Sequence, residues 1–364
     1  MLTSLRIQNF RSLRNLTVEG LTRVSLLVGA NNTGKTSVLE AAELALAGSS
    51  PSVIARAPSR RGEVNVRIED GTGVVSRLEV AHLFFGHDLK LRPTFRIEAS
   101  TPEPCFFEGR IEPYSPNAAL TVAEQVASGL QLEAPLGLTV ESDRFVAVSQ
   151  PLSEQGLLPN AFQTARRLAV NPAAPPPRVH FIQTSAPPLM TIRELWDDVV
   201  LTPEEALVTQ VLQIIEPGIE RIAALAGSSG FSAATIFIKL KDSDQRIPLA
   251  SMGEGINRLL VLGLNLVNAA GGYLLVDEID TGLHHSVMVR MWRLVTEAAK
   301  RLNVQLLATT HSLDCVRALA ALYEEQQGLR DIISVHRIER NAEHNVPYSA
   351  DELLAAARHE MEIR

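Results

Sequence analysis

Residues 29–36 read Gly-Ala-Asn-Asn-Thr-Gly-Lys-Thr, the G-x-x-x-x-G-K-S/T pattern of a phosphate-binding loop. The chemistry explains the spacing. Glycines at 29 and 34 let successive backbone N–H groups turn toward one anion, and the helix that must follow adds partial positive charge. The Lys35 ammonium suits β- and γ-phosphates, and the Thr36 hydroxyl can bind Mg²⁺. Three further stretches offer reacting groups. An apolar run at 273–276 ends in Asp277 and Glu278, where the first acid can hold Mg²⁺ through water and the second can orient or deprotonate an attacking water. Another apolar run, 304–309, presents His311 just beyond its end, within reach of a γ-phosphate. Ser251, Gly253 and Glu254 precede an apolar helical stretch, and small residues at a helix start suit a phosphate through N–H and hydroxyl donors.

The elements that must position these groups follow from periodicity. Short strands are predicted over 2–8 and 23–28, then a helix over 34–47 that stops at Gly48. Strand-like pieces recur at 64–68, 74–85 and 94–97. From 102 to 177 the pattern is irregular and closes with four prolines at 172–177, which support neither helix nor inner strand. A strand is predicted at 178–183 and helical structure over 191–226, interrupted at Pro217 and Gly218. After that, strands at 235–240, 273–276 and 304–309 alternate with helices at 255–269, 284–301 and 313–327. Such alternation implies an α/β fold with right-handed crossovers and a central, largely parallel sheet covered on both faces.

Composition bounds the rest. The chain has 364 residues, 46% hydrophobic and 21% charged, with 34 basic and 41 acidic side chains for a net charge of −7. A sizeable core is affordable, and intrinsic disorder is excluded for the bulk. Net acidity argues against wholesale phosphate binding of the histone kind, so DNA contact would need a local basic patch. Arg56, Arg60 and Arg61 gather in one such place, and Arg166 and Arg167 in another. Two cysteines, Cys105 and Cys315, make no disulfide framework, and the first residues carry no secretory pattern, so a reducing cytoplasm is expected. Residues 259–276 lack any charge, but Asn265, Asn268 and the Gly271-Gly272 pair break the run. It reads as buried helix, turn and buried strand, with no membrane partner.

Taken together, the loop at Gly29, the signature-like Ser251-Met-Gly253-Glu254, Asp277-Glu278 and His311 come in the order and spacing of ABC-type ATPases, which this chain resembles. More narrowly, Leu5 to Ser12, the loop Gly29-Ala-Asn31-Asn32 and the stretch from Asp277 to His284 look like the OLD-type branch (overcoming lysogenization defect), related to chromosome-maintenance and recombination ATPases. The resemblance covers 1–50 and 178–320 and says little about 100–177. It implies a P-loop NTPase of the ABC-ATPase head type with a β-rich N-terminal portion and a short inserted helical arm. The expected divisions are 1–101 with the phosphate loop, an insertion at 102–177, a Q-loop-like strand end at 178–188, the arm at 189–230, and 231–364 carrying signature, acids and histidine.

The resemblance further implies ATP and Mg²⁺ as ligands of a head-to-tail homodimer or higher even assembly. Nucleotide contacts would come from Gly29, Asn31, Asn32, Thr33, Gly34, Lys35, Thr36, Ser37 and Arg11, with Ser251, Gly253 and Glu254 supplied by the facing protomer. Metal contacts would come from Thr36, Asp277 and Gln183, and catalysis from Glu278, His311 and Lys35. Only 53 residues follow His311, fewer than the roughly 100 of a typical added domain, so the TOPRIM nuclease fused in many OLD-type proteins is not expected here. The leading expectation is therefore an ATPase subunit of a prokaryotic defence-type system that couples its nucleotide state to a separately encoded effector such as a nuclease. The alternative is a DNA repair or processing ATPase that clamps DNA directly. A transporter subunit fits less well, because Ala250-Ser-Met-Gly-Glu254 departs from the transporter signature.

Overall fold

Strand β3 (Val24–Val28) is buried at all five positions, and the reason lies in its place in a six-stranded sheet. The order is β10 (Val179–Ile182), β14 (Tyr273–Val276), β15 (Gln305–Thr309), β3, β16 (Ile333–Arg337) and β17 (Val346–Tyr348). All these pairings are parallel except the last. The computed structural model describes residues 1–48, 50–69, 73–114, 136–153, 156–158, 161–162, 177–225, 235–241, 243–359 and 361. Successive side chains of a strand point to opposite faces, and both faces of this sheet are covered. Leu26, Leu274 and Leu306 therefore enter one core, while their neighbours Leu27, Leu275 and Leu307 enter another.

The second core lies between this sheet and an antiparallel one. That sheet runs β2 (Leu13–Glu19), β1 (Ser4–Phe10), β6 (Thr94–Ser100), β7 (Cys105–Glu112), β8 (Leu136–Ser142) and β9 (Phe145–Leu152). Helix α1 (Lys35–Ala47) lies in that core and contacts strands of both sheets, so it is buried almost all round, including Glu40 and Glu43. Carboxylates cannot stay charged there without partners. Arg11 and Arg61 engage Glu40, while Arg56 and Arg60 engage Glu43. Three of these arginines come from α2 (Arg56–Arg61). The basic cluster at 56–61 is thus paired with the phosphate-loop helix, with Arg60 largely covered and Arg56 half exposed. Arg166 and Arg167 lie outside the described residues.

Two sequence expectations change. The stretch 102–177, expected to be irregular, supplies three strands of the antiparallel sheet where it is described. In β7 alternate residues are buried, Cys105, Phe107, Gly109 and Ile111, a period-two signal masked by the irregular residues after it. The helical stretch predicted over 191–226 resolves into α3 (Leu189–Asp197), α4 (Glu205–Leu212) and a strand, β11 (Ile219–Leu225). Pro217 and Gly218 end the helical run, and β11 pairs antiparallel with β12 (Thr235–Leu240), which pairs in turn with β13 (Arg246–Pro248), while β4 (Val64–Glu69) and β5 (Gly73–Leu78) pair with each other. Both helices bury their apolar faces in the first core through Ile192, Trp196, Leu207, Val208 and Val211. The uncharged stretch at 259–276 becomes most of α5 (Glu254–Asn268) followed by β14. Among the described residues no helix is long and apolar enough to cross a membrane.

Candidate active site

The carboxyl ends of β3, β10, β14 and β15 meet at one edge of the parallel sheet, where crevices form in open α/β folds. After β3 the chain turns through Gly29 (φ +146) and Gly34 (φ +99) into α1. A Cβ at Gly29 would lie 2.4 Å from the Ile338 carbonyl oxygen, and one at Gly34 would lie 2.6 Å from Leu13 Cδ2. Position 29 therefore demands glycine on space as well as angle, and position 34 on angle, since the Leu13 methyl can shift. Lys35 is 6% exposed, and its Nζ donates to the Gly29 and Ala30 carbonyls at 2.8 and 2.9 Å. Burial pulls this ammonium below its ordinary pKa, opposed by the nearby charges of Glu278 and Asp277.

β14 delivers the acids. Asp277 Oδ1 accepts from Thr36 at 2.9 Å and from Thr309 at 2.8 Å, while Oδ2 accepts from Thr184 at 3.3 Å. Glu278 has a left-handed backbone (φ +51), and its N–H donates to Thr309 Oγ1 at 2.8 Å. Its carboxylate pairs with His311 Nδ1. Burial raises the Glu278 pKa above its ordinary value, with His311 opposing the rise. A partly desolvated carboxylate held against an imidazole is chemically suited to accept a proton from water.

The remaining expected residues fall in three places. Gln183 follows β10, whose Ile182 pairs with Val276, so it stands beside Asp277; its Oε1 accepts from Ser185 at 3.3 Å. Ser251 and Gly253 form an exposed turn before α5, Gly253 with φ +91 and no atom within 4 Å of a Cβ placed there. Glu254 lies against Gly282, in the loop after the acids. Among the described residues no hydrogen bond or ion pair joins 251–254 to 29–36. Arg11 is a different case. Its guanidinium is 5% exposed and held by Glu40 at 2.5 Å and Glu63 at 2.8 Å, so it braces the phosphate-loop helix and is not available as a phosphate ligand in this arrangement.

Four residues at the site were not anticipated: Arg258, Thr184, Thr309 and Asp280. Arg258 donates to the backbone oxygens of Gln183 (2.5 Å), Asp277 (2.6 Å) and Glu278 (2.7 Å). Its signal was available, since it is the charge that immediately precedes the uncharged stretch. Thr309 ends β15 and Thr310 follows it, donating to Asp280 at 2.6 Å, a contact that only the fold creates.

The donor set at Thr36 and Asp277 is hydroxyl and carboxylate oxygen, which fits Mg²⁺. No cluster of three or more His, Cys, Asp or Glu suited to a metal exists among the described residues.

The chain is similar to several known proteins. Over 350 residues the chain is 21% identical to an ATP/GTP phosphatase of Helicobacter pylori, covering 90% of this chain and 89% of that one. A shorter match, 35% identity over 65 residues, covers 18% of the chain and 57% of an uncharacterized protein of Methanocaldococcus jannaschii. Similar solved structures include the Smc head bound to the C-winged helix domain of ScpA (TM-score 0.48, 13% identity, 97% of this chain and 99% of that one). The SMC head domain from Thermotoga maritima is another (TM-score 0.45, 14% identity, 96% and 99%). The AAA ATPase domain model matches residues 1–71 and 203–316, just over half of the chain and every candidate catalytic residue named above, so the chain belongs to the AAA ATPase domain family and is an ATPase.

Proposed function

We propose that this ATPase hydrolyses ATP with Mg²⁺ at a head-to-tail dimer interface, as the OLD-like, nucleotide-switched subunit of a system whose effector, a nuclease, is a separate polypeptide. One observation carries the reading. The phosphate loop, the Thr36–Asp277 contact and the Glu278–His311 pair converge at one sheet edge, while the turn with Ser251 and Gly253 opens to solvent. A second protomer turned head to tail would set its own turn over this edge and close the site.

In that arrangement the N–H groups at 29–37 receive the phosphates. Lys35 exchanges the Gly29 and Ala30 carbonyls for phosphate oxygens, a stronger charge-assisted contact. Thr36 and Asp277, with Gln183 beside them, would hold Mg²⁺, which supplies charge neutralisation on the phosphates. Glu278 takes the proton of the attacking water, and His311 fixes the carboxylate. Ser251 and the N-terminus of α5 face the partner's nucleotide. Since the Helicobacter relative is named for both ATP and GTP, both nucleotides belong in the assay.

The test is purification of the Glu278→Gln protein with its native operon neighbours, with mass measured by light scattering in Mg-ATP. An ATP-dependent even assembly containing a second polypeptide is the expected result. A nucleotide-bound monomer overturns the dimer. A partner-free dimer whose salt-sensitive DNA binding tightens with ATP replaces the effector with direct DNA clamping.

A further inference from the structure

Arg258 is 7% exposed, and it hydrogen-bonds three backbone carbonyls contributed by two strand ends. Nη1 donates to Gln183, beyond β10, and Nη2 to both Asp277 and Glu278, beyond β14. Two successive carbonyls can share one nitrogen here because Glu278 adopts φ +51, which turns its peptide away from the extended path. A non-glycine residue in that conformation costs free energy and persists where its surroundings over-determine it. The Arg258 guanidinium is one such constraint; the Thr309 hydroxyl on the Glu278 N–H and the Thr281 N–H on the Glu278 carbonyl are others. Arg258 therefore acts on the backbone that aims the Glu278 carboxylate, without touching the reacting atoms.

The other end of the lever is the exposed turn. Arg258 lies four residues after Glu254, the first residue of α5, so the two share a helix face one turn apart. Glu254 abuts Gly282, and a Cβ at Gly255 would come within 2.9 Å of the Gly282 carbonyl oxygen. A ligand seated on Ser251 and Gly253 thus meets the rigid end of a helix whose next turn grips the Glu278 backbone.

We propose that Arg258 is a positioning residue that couples the two sites of the dimer: the partner's nucleotide, seated on the 251–254 turn, sets the Glu278 backbone of the same protomer through α5 and the three carbonyls. This rests on the head-to-tail reading above. Each protomer then hydrolyses its own ATP only when its turn is engaged by the nucleotide of the other.

Turnover against ATP concentration tests this in the wild type, in Arg258→Lys, which keeps the charge but cannot bridge three acceptors, and in a mixed dimer. The wild type is expected to be sigmoidal. Arg258→Lys should bind ATP within about threefold of wild type and still dimerise in the Glu278→Gln background, yet lose sigmoidality and at least about tenfold in kcat. The mixed dimer joins a Ser251→Arg protomer to a Lys35→Ala protomer and leaves Arg258 untouched, so it does not depend on the lysine variant folding. It holds one complete site, whose own protomer has a disabled turn. Coupling predicts a rate at least about tenfold below half of wild type. Half the wild-type rate in the mixed dimer, or wild-type sigmoidality and kcat in Arg258→Lys, overturns the proposal while leaving the dimer intact. Absence of any ATP-dependent Glu278→Gln dimer overturns the head-to-tail reading itself, and the coupling falls with it.

Discussion

The Thr36 hydroxyl donates a 2.9 Å hydrogen bond to the Asp277 carboxylate across 241 positions of sequence. That bond joins the start of α1 to the end of β14, and β15 seals the junction, since Thr309 donates to the same oxygen at 2.8 Å. Two hydroxyls from separate elements thus fix one oxygen of the Asp277 carboxylate, which holds the hydroxyl and carboxylate suited to Mg²⁺ in register.

Lys35→Ala removes the cation of the phosphate loop. Each hydrogen bond to a charged group is worth about 1.5–3 kcal/mol, so ATP affinity should fall on the order of ten- to a hundredfold or more, with turnover lost. Calorimetric titration with ATP measures this, and wild-type affinity would remove Lys35 from the phosphate contacts.

Glu278→Gln preserves shape but cannot accept a proton. Nucleotide binding should stay within about threefold while kcat falls about 10²–10⁴-fold. Single-turnover hydrolysis separates the chemical step from product release, and a normal single-turnover rate would leave Glu278 with a structural role only.

The same residue governs a pH dependence. Burial raises the folded-state pKa of Glu278 above its ordinary value of 4.5, so the carboxylate needed as base is lost as pH falls through that raised value, and kcat should fall with it. For stability the sign is opposite: the protonated form suits the folded state, so this contribution is present in full below the ordinary value and disappears as pH rises through the folded one. Glu278→Gln, permanently neutral, should therefore melt higher than wild type at neutral pH, with the gap closing toward acid. A gap that widens toward acid would contradict the raised pKa.

Glu40→Ala deletes the buried carboxylate shared by Arg11 and Arg61. Arg11 is nearly inaccessible, and breaking a buried pair from one side typically costs about 3–5 kcal/mol; Glu63 still holds Arg11 at 2.8 Å, which puts the expectation near the lower figure. Urea unfolding reads the loss, and Arg61→Ala alone, removing a half-exposed partner, should cost far less.

Gly29→Ala sets a methyl group against the Ile338 carbonyl oxygen at a backbone angle that L-residues avoid. Strain of this kind costs of order 1–3 kcal/mol, and the displaced loop should lose ATP binding with it. Thermal melting together with ATP titration checks both halves; a stable variant with normal affinity would mean the loop can relax at no cost to its function.

Much of the chemistry was legible because it is local. The phosphate loop needs glycines at fixed positions between a strand and a helix, so residues 29–36 declare themselves, as do strand-end acids after a buried apolar run at 273–276. The alternation of strand and helix after residue 235 likewise follows from side-chain periods of 2 and 3.6. Local pattern was weaker where neighbours decide the outcome. The β7 strand was obscured by the irregular stretch that follows it, and 219–225 became a strand because β12 offers it a partner.

What the sequence by itself determined is the set of groups that can bind phosphate and activate water, together with the α/β order that carries them to one sheet edge. The tertiary structure alone decided which charges are spent inside the fold and which remain for chemistry. Arg11 looks like a nucleotide contact by its place in the chain, but α1 is buried on all sides, so its carboxylates recruit Arg11, Arg60 and Arg61. Arg258 looks like one helical charge among many, but the ends of β10 and β14 leave three carbonyls converging on it. Desolvation is the physical reason in both cases: a buried charge must be satisfied by whatever the fold brings beside it, and that neighbour is named by no local pattern.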